Sequence, residues 1–248
     1  MQLLSQAEAA LVRNGRAVLL YILTTVAVVT VYGLALDAMT AIVPEETRPK
    51  PFWYIYASIG LDLAQVGAIA ALQAIAFAAI GREIDQPLWK CAGWQDALKR
   101  FFSYWFIVNL IYVTSSKLVL SVPDAIADDF GVLMFFFRFM LTLVAIPLGA
   151  CIMHGGGLHW KEIPGLLMPF FRLFDKAILA VSLGFLQYVI LLSILAFVPQ
   201  EVLKSVWLWS FVNGPLALLE CLTFAVMWIV CMQYREVASD YEDDDFDF

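Results

Sequence analysis

The stretch WQDALKRFFSYWFIVNLIY, residues 94–112, carries the pattern that decides the fold class. It opens with an amphipathic turn, passes through Lys99 and Arg100, meets a run of aromatic residues and continues into an uncharged apolar segment. This order is typical of a chain that lies on a membrane surface and then enters the bilayer as a helix. The stretch therefore predicts that lipid is the solvent of this part of the chain.

Two further stretches have a similar profile. AEAALVRNGRAVLLYI, residues 7–22, and GLLMPFFRLFDKAIL, residues 165–179, each place two basic residues at the start of an apolar run. Three such stretches predict one unit used three times: an interfacial helix, a helix across the bilayer, a turn and a helix back. The residues predicted to lie at the interface are Arg13, Arg16, Trp94, Lys99, Arg100, Arg172 and Lys176.

The composition of the whole chain agrees with a bilayer environment. Of 248 residues, 62% are hydrophobic and 15% are charged, whereas soluble domains are about 45–50% apolar and about 25% charged. The net charge of −7 is concentrated in the last nine residues, DYEDDDFDF. Since the body is close to neutral and has no basic stripe, nucleic acid is not predicted as a partner.

Six apolar segments are long enough to cross a hydrocarbon core of about 30 Å. The predicted fold class is therefore all-α, a polytopic membrane protein with six transmembrane helices in three hairpins and short amphipathic interfacial helices. Residues 1–235 are predicted to form a single domain, and the acidic aromatic tail, residues 236–248, is predicted to be flexible. The predicted spans are residues 17–36, 52–81, 101–122, 130–153, 177–198 and 206–232.

The distribution of Lys and Arg predicts the orientation. Most basic residues flank the spans on the side that holds the N-terminus, and only Arg48, Lys50 and Lys204 fall on the other side. By the positive-inside rule, both termini are predicted to be cytoplasmic in a bacterial-type inner membrane.

Three ionisable residues within the predicted spans lie at similar depths. Asp62, Lys117 and Arg138 fall within about 6 Å of one another along the membrane normal at 1.5 Å per residue. Because an ionisable group in a span costs roughly 2.5–3.5 kcal/mol, we predict a buried cluster of Asp62 with Arg138, Lys117 or both. The cluster has two interpretations, a substrate or ion site and a structural tie between helices.

Glu220 lies near the middle of the sixth span, and no basic residue is predicted at its depth. It is expected to be hydrogen-bonded to Gln73, Asn109 or Gln187, either as a neutral acid that bridges helices or as a proton-relay or ligand residue. Asn213, which precedes Gly214 and Pro215, is the other polar residue near the midplane of this span. The proline is expected to kink the helix for packing.

The only two histidines, His154 and His159, lie in HGGGLHWKE. The HGGG signature of some lipases is present, but a GxSxG elbow is missing, so an esterase is not predicted. His154, His159 and Glu162 lack a fourth metal ligand, and the four cysteines form no CxxC pair, so no metal site is predicted.

The acidic tail contains three aromatic residues that could anchor it in a basic groove: Tyr241, Phe246 and Phe248. A docking peptide and a plain solvated tail both remain open.

The order of segments from Glu8 to Arg235 resembles a group of bacterial six-helix inner-membrane proteins that includes YciC-type proteins and the membrane domain of some glycerophosphodiester phosphodiesterases. The resemblance rests on this layout and on short stretches such as DALKRFF and MPFFRLF. It implies three helical hairpins introduced by amphipathic helices on the cytoplasmic side, and it implies no catalytic residue.

Three functional hypotheses follow. The first is a non-enzymatic accessory or scaffolding subunit of an inner-membrane complex, or a lipid-organising protein, with membrane lipids and other integral subunits as partners. It predicts a packed interior. The second is a small-molecule or proton-coupled transporter that uses Asp62, Arg138 and Glu220, which predicts a water-accessible cavity reaching Glu220. The third is a lipid-modifying enzyme. Whether a pigment, a quinone or a specific lipid is bound as a cofactor stays open.

Overall fold

The computed structural model describes residues 2–43, 49–85, 93–121, 124–157 and 163–244. Throughout these ranges the regular structure is helical, and no strand occurs in them. The helices are α1 (Gln2–Arg13), α2 (Gly15–Ile42), α3 (Phe52–Ile84), α4 (Trp94–Ser121), α5 (Asp124–His154), α6 (Ile163–Leu166), α7 (Met168–Arg172), α8 (Phe174–Phe197), α9 (Gln200–Leu203) and α10 (Val206–Asp244).

Five of the long helices have the length and apolar character needed to cross a membrane. They are α2, α3, α8, the part of α5 from Phe130 to His154, and the part of α10 from Val206 to Val237. These helices are compatible with a multi-pass membrane protein. The sixth predicted crossing corresponds to α4, which carries Lys99, Arg100 and Lys117 and is not among the five.

Several helices extend beyond the predicted spans. Helix α2 continues past the predicted end at residue 36 to Ile42, and α5 begins at Asp124, six residues before the predicted fourth span. Helix α10 runs on to Asp244, so residues 236–244 of the predicted flexible tail have helical backbone. The side chain of Tyr241 lies outside the described part of the chain, as do Phe246 and Phe248.

The six long helices form a closed ring in chain order, because α2, α3, α4, α5 and α8 each pack on the next, α8 packs on α10, and α10 packs on α2. Neighbours run antiparallel. We call the end where α2 begins the near end, and the end where α2 finishes the far end.

At the near end, α10 leaves the ring and fills its centre, where it also contacts α3 and α5. Every side chain from residue 223 to residue 231 is buried there. Phe224 stacks on Phe77 with ring centroids 4.5 Å apart, and Phe77 meets Trp105 edge to face at 5.0 Å. Together with Trp228 these residues form a cluster that we call the aromatic plug, and the side chains of all four are fully buried.

Two glycines make room for the indole rings of the plug. A Cβ atom on Gly149 would lie 2.5 Å from the ring of Trp105, and one on Gly81 would lie 2.7 Å from the ring of Trp228. Helices α5 and α3 can therefore approach the plug closely only because these positions lack a side chain. The near end is sealed by this packing.

The short amphipathic helices lie at the near end. Helix α1 buries Ala7, Ala10 and Leu11 and packs on α10 and α3, and α7 packs on α10, α5 and α8. Trp94 and Arg172 are exposed, and Arg100 forms an ion pair with Asp96 at 2.9 Å. Lys176 differs from the other predicted interfacial residues because its Nζ donates a hydrogen bond to Gln233 at 2.9 Å. Arg13, Arg16 and Lys99 are exposed.

Candidate functional site

A cavity of about 750 Å³ lies inside the ring, between the aromatic plug and the far end. All six long helices contribute to its walls. Most of the lining is apolar, with Leu191, Leu192 and Leu195 on α8 as examples, and a small set of polar side chains faces the same space. This combination is typical of a small-molecule binding site. The polar side chains that line the cavity include Tyr21, Thr25, Gln65, Gln73, Asn109, Arg138, Thr142, Gln187, Asn213 and Glu220.

The floor of the cavity is a hydrogen-bonded group of side chains from four helices. The hydroxyl of Tyr21 on α2 donates to the carboxylate of Glu220 on α10. Gln73 on α3 lies beside both residues, and its Oε1 accepts a hydrogen bond from Asn109 of α4 at 2.7 Å. We call Tyr21, Gln73, Asn109 and Glu220 the polar floor. It ties together α2, α3, α4 and α10 directly beside the aromatic plug, since Tyr21 also contacts Phe77.

Arg138 enters the cavity from α5. Its guanidinium carbon lies 4.7 Å from the ring centroid of Tyr112, a cation–π contact. Its Nε is buried and has no hydrogen-bond partner. Among the described side chains, no carboxylate lies within 4.0 Å of this guanidinium. Arg138 is therefore a cation with unused donor capacity on the wall of the cavity.

A second hollow, of about 400 Å³, continues the space toward the far end. It shares Val29, Gln65, Trp209 and Asn213 with the wall of the larger cavity and reaches Asp37 and Lys204. The shared residues form a neck between the two spaces. Two of them donate side-chain hydrogen bonds to backbone carbonyls that precede them in the chain. Trp209 donates to Leu203 at 2.8 Å, and Asn213 donates to Trp209 at 2.7 Å.

Of the predicted cluster of Asp62, Lys117 and Arg138, only the first two are in contact. Asp62 contacts the Nζ of Lys117 and accepts a hydrogen bond from the hydroxyl of Tyr32 at 2.9 Å. Arg138 is not part of this group, because its side chain points to Tyr112 and the central cavity. Asp62 lines neither space, although Tyr32 lines the second hollow. Of the three residues assigned to the transporter hypothesis, Arg138 and Glu220 face the cavity and Asp62 does not.

An ion pair that the sequence did not indicate lies at the near end. Asp85, which is buried, accepts two hydrogen bonds from the guanidinium of Arg235, at 2.8 and 3.2 Å. His154 lies 3.6 Å from the same carboxylate and packs edge to face on Trp228. The group links α10 to the ends of α3 and α5.

The other residues of the histidine loop, His159 and Glu162, lie outside the described ranges. Within those ranges no group of three or more His, Cys, Asp or Glu side chains is arranged to hold a metal ion.

From the sequence, the hydrogen-bond partners of Glu220 were expected among three amide side chains. The structure adds a partner outside that set, the hydroxyl of Tyr21. Tyr21 was treated as part of an apolar run. Counted from the ends of the predicted spans at 1.5 Å per residue, Tyr21 lies about 6 Å and Glu220 about 18 Å from the near end, so depth alone did not pair them. Of the three amides expected near Glu220, Gln73 is adjacent, Asn109 is one hydrogen bond away, and Gln187 instead donates to the carbonyl of Leu216 at 3.3 Å. Comparison of the chain with family models, with curated proteins and with solved structures finds no match.

Proposed function

We propose that this protein is a small-molecule transporter of the membrane, with the central cavity as its substrate site. The observation that carries the proposal is the cavity itself, which is sealed by the aromatic plug toward the near end and continued by a second hollow toward the far end. A site inside the bilayer that is closed by packing toward one end and continued by a hollow toward the other is the geometry expected for one state of an alternating-access carrier.

The size and chemistry of the cavity support a small organic substrate. Its volume of about 750 Å³ lies within the range of roughly 300–1,000 Å³ that is usual for ligand sites. Apolar walls with a few convergent polar groups favour an amphipathic molecule over an inorganic ion. Ionisable groups at this depth of a bilayer are costly and commonly mark substrate or proton pathways.

The scaffold hypothesis predicted a packed interior, and the cavity favours the transporter hypothesis over it. The proposal includes α4 as a sixth crossing, since this helix fills a place in the ring between α3 and α5. It also includes a bacterial-type inner membrane with both termini in the cytoplasm. In that orientation, the near end faces the cytoplasm and the cavity faces outward.

Movement of α10 is the conformational step that the proposal requires. The plug must leave the centre of the ring for the substrate to pass toward the near end. Pro215 lies within α10 beside the cavity, and Pro147 lies within α5 at the level of the floor. Each proline removes one helical hydrogen bond, which makes these positions the natural hinges of the two helices.

Thiol accessibility tests whether water reaches the cavity. Thr25 lines the cavity, whereas its neighbour Thr24 does not and bonds to the carbonyl of Leu20 at 2.6 Å. In a background with the four native cysteines replaced by alanine, Thr25→Cys and Thr24→Cys are treated in nanodiscs with a charged methanethiosulfonate. We expect Thr25→Cys to react and Thr24→Cys to stay unlabelled, because only the first faces an aqueous space.

If neither thiol reacts with the reagent, the cavity is not open to water. That result would favour the scaffold hypothesis. That hypothesis is tested in parallel by purification in mild detergent and mass spectrometry of the associated proteins. Stable recovery of stoichiometric integral subunits, together with a protected Thr25→Cys, would support a scaffolding role.

A further inference from the structure

Resting on the proposed function of the cavity as a substrate site, we infer that the substrate is an organic monoanion with a flat apolar body, whose acidic group binds Arg138. The starting point is the position of this side chain. It lies on the cavity wall, on the opposite helix of the ring from α2, and its Nε is buried without a partner.

The charge of Arg138 needs compensation. Arginine stays protonated in proteins, and a cation at this depth of a bilayer is costly unless it is paired or hydrated. The described part of the chain provides the face of Tyr112, at 4.7 Å, and no carboxylate within 4.0 Å. The Nε–H at the edge of the guanidinium is buried and has no hydrogen-bond partner in the described part of the chain, so edge donors are available. Those edge donors match the two oxygens of a carboxylate.

The two acidic side chains nearest the middle of the described long helices, Asp62 and Glu220, are already engaged with other groups. Asp62 contacts Lys117 and Tyr32, and Glu220 accepts a hydrogen bond from Tyr21. The counter-ion of Arg138 is therefore best supplied from outside the described chain. An anionic substrate would neutralise the charge of Arg138 on binding and would leave the arginine unpaired again on release. The net charge that α5 presents to the cavity would therefore depend on whether substrate is bound.

The walls around Arg138 favour a flat apolar body. Aromatic residues from five helices line the cavity, and the rings of Phe135 and Tyr188 are 5.5 Å apart, edge to face. Such surfaces offer the faces and edges that bind a planar ring in offset or edge-to-face contact. The aromatic residues that line the cavity near or above the level of Arg138 are Tyr112, Phe135, Tyr188 and Trp209.

The polar floor argues against a second acidic group on the substrate. Glu220 lies at the other side of the same cavity, and the polar floor holds no cation that could pair with a second acidic group. The neighbouring amides of Gln73 and Asn109 suit a hydroxyl or a carbonyl instead. The expected ligand class is therefore a single acid on an aromatic or similarly flat apolar frame.

Binding of three small probes to the wild-type protein in nanodiscs tests this inference. Naphthoate, naphthylmethanol and naphthylmethylamine have the same ring system and differ in charge. Equilibrium dialysis against empty nanodiscs corrects for partition into lipid. We expect naphthoate to bind at least about tenfold more tightly than the alcohol, because it adds a charge-assisted bidentate pair, and we expect the amine to bind most weakly.

Replacement of the arginine localises the effect. Arg138→Gln keeps a polar side chain of similar length without the charge and should lower naphthoate affinity at least about tenfold, with little change for the alcohol. Arg172→Gln is the matched control, because it removes one positive charge from an exposed residue of α7 and should leave naphthoate binding unchanged. Size-exclusion profiles show whether each variant is folded.

The outcomes separate this inference from the function on which it rests. Binding of the acid and the alcohol with equal affinity to the wild type, or unchanged acid binding in Arg138→Gln, would overturn the anion site and leave the cavity as a small-molecule site. Absence of specific binding for all three probes would overturn both. If Arg138→Gln does not fold, the order of the three probes on the wild type decides, and preference for the amine or the alcohol rejects the inference.

Discussion

The hydroxyl of Tyr21 donates a hydrogen bond to the carboxylate of Glu220, which joins the first long helix of the ring to the last across 199 positions of sequence. The contact closes the cavity on the side of the aromatic plug. Among the described residues, Glu220 is the one acidic side chain on the wall of the larger cavity. Its protonation state can therefore depend on whether water or a ligand occupies the cavity.

Replacing Glu220 with Gln tests whether this residue relays protons in the proposed transport, in addition to its hydrogen bond with Tyr21. The amide oxygen of glutamine can still accept the hydrogen bond from Tyr21, so we expect a thermal midpoint close to that of the wild type. Uptake driven by a proton gradient in proteoliposomes should be lost, because glutamine cannot carry a proton. Tyr21→Phe is the comparison variant, and it should lower stability by about 1–3 kcal/mol because it leaves the Glu220 side chain without this donor. Uptake by Glu220→Gln with unchanged dependence on the proton gradient would reject a relay role.

The contact between Asp62 and Lys117 should contribute to stability. Asp62→Ala removes the partner of the Lys117 ammonium and of the Tyr32 hydroxyl, and we expect a loss of about 1–3 kcal/mol in the free energy of unfolding. Lys117→Ala should cost less, because its side chain is half exposed. Unfolding in a detergent titration of both single variants and the double variant gives the coupling energy. A coupling energy of zero would show that the pair does not stabilise the fold.

Arg235 should matter more to stability than a nearby arginine on the surface. Arg235→Gln leaves the buried carboxylate of Asp85 without its bidentate partner. Loss of one partner of a buried pair typically costs about 3–5 kcal/mol, and the half-exposed position of Arg235 places the expected loss toward the lower value. Arg82→Gln changes an exposed side chain of the same near end and should shift stability by no more than about 0.5 kcal/mol. Equal thermal midpoints for the two variants would contradict the importance of the pair.

A methyl group on Gly149 should disturb the aromatic plug. The added Cβ would lie 2.5 Å from the ring of Trp105, and overpacking of this kind costs about 1–3 kcal/mol. Gly67 is the matched control on α3, because a Cβ atom there meets nothing within 4 Å and alanine favours the helix by up to about 1 kcal/mol. We expect a lower melting temperature for Gly149→Ala and an unchanged or higher one for Gly67→Ala. The reverse order would mean that the plug is not tightly packed.

The features of the fold that could be predicted from the sequence depend on the length of an apolar segment or on the depth of a residue along the membrane normal. The long helices follow from uninterrupted apolar segments, and the proximity of Asp62 and Lys117 follows from counting 1.5 Å per residue along two antiparallel helices. Depth does not determine the direction in which a side chain points. Arg138 lies on a helix whose faces are nearly all apolar, so periodicity could not indicate that it faces Tyr112 and the cavity.

The cavity and the ion pair of Asp85 with Arg235 could not be predicted, because both depend on how helices that are far apart in the chain pack against each other. The cavity exists because α10 departs from the ring, and this path is set by packing of residues 223–231 against α3 and α5. Asp85 and Arg235 are 150 positions apart, and their contact requires the order of the helices around the ring. The contact of Tyr21 with Glu220 could not be predicted from depth either, because the predicted ends of the first and sixth spans place the two residues about 12 Å apart along the membrane normal at 1.5 Å per residue.

The central position of α10 has a consequence for biogenesis. This helix leaves the ribosome after the other five long helices, yet it fills the centre of the near end. Those five helices would enclose an unfilled space until it arrives, so the packing of the near end has to wait until α10 has been synthesised. Premature termination anywhere before Val206 would then leave an inserted but loosely associated intermediate, a natural substrate for membrane proteases.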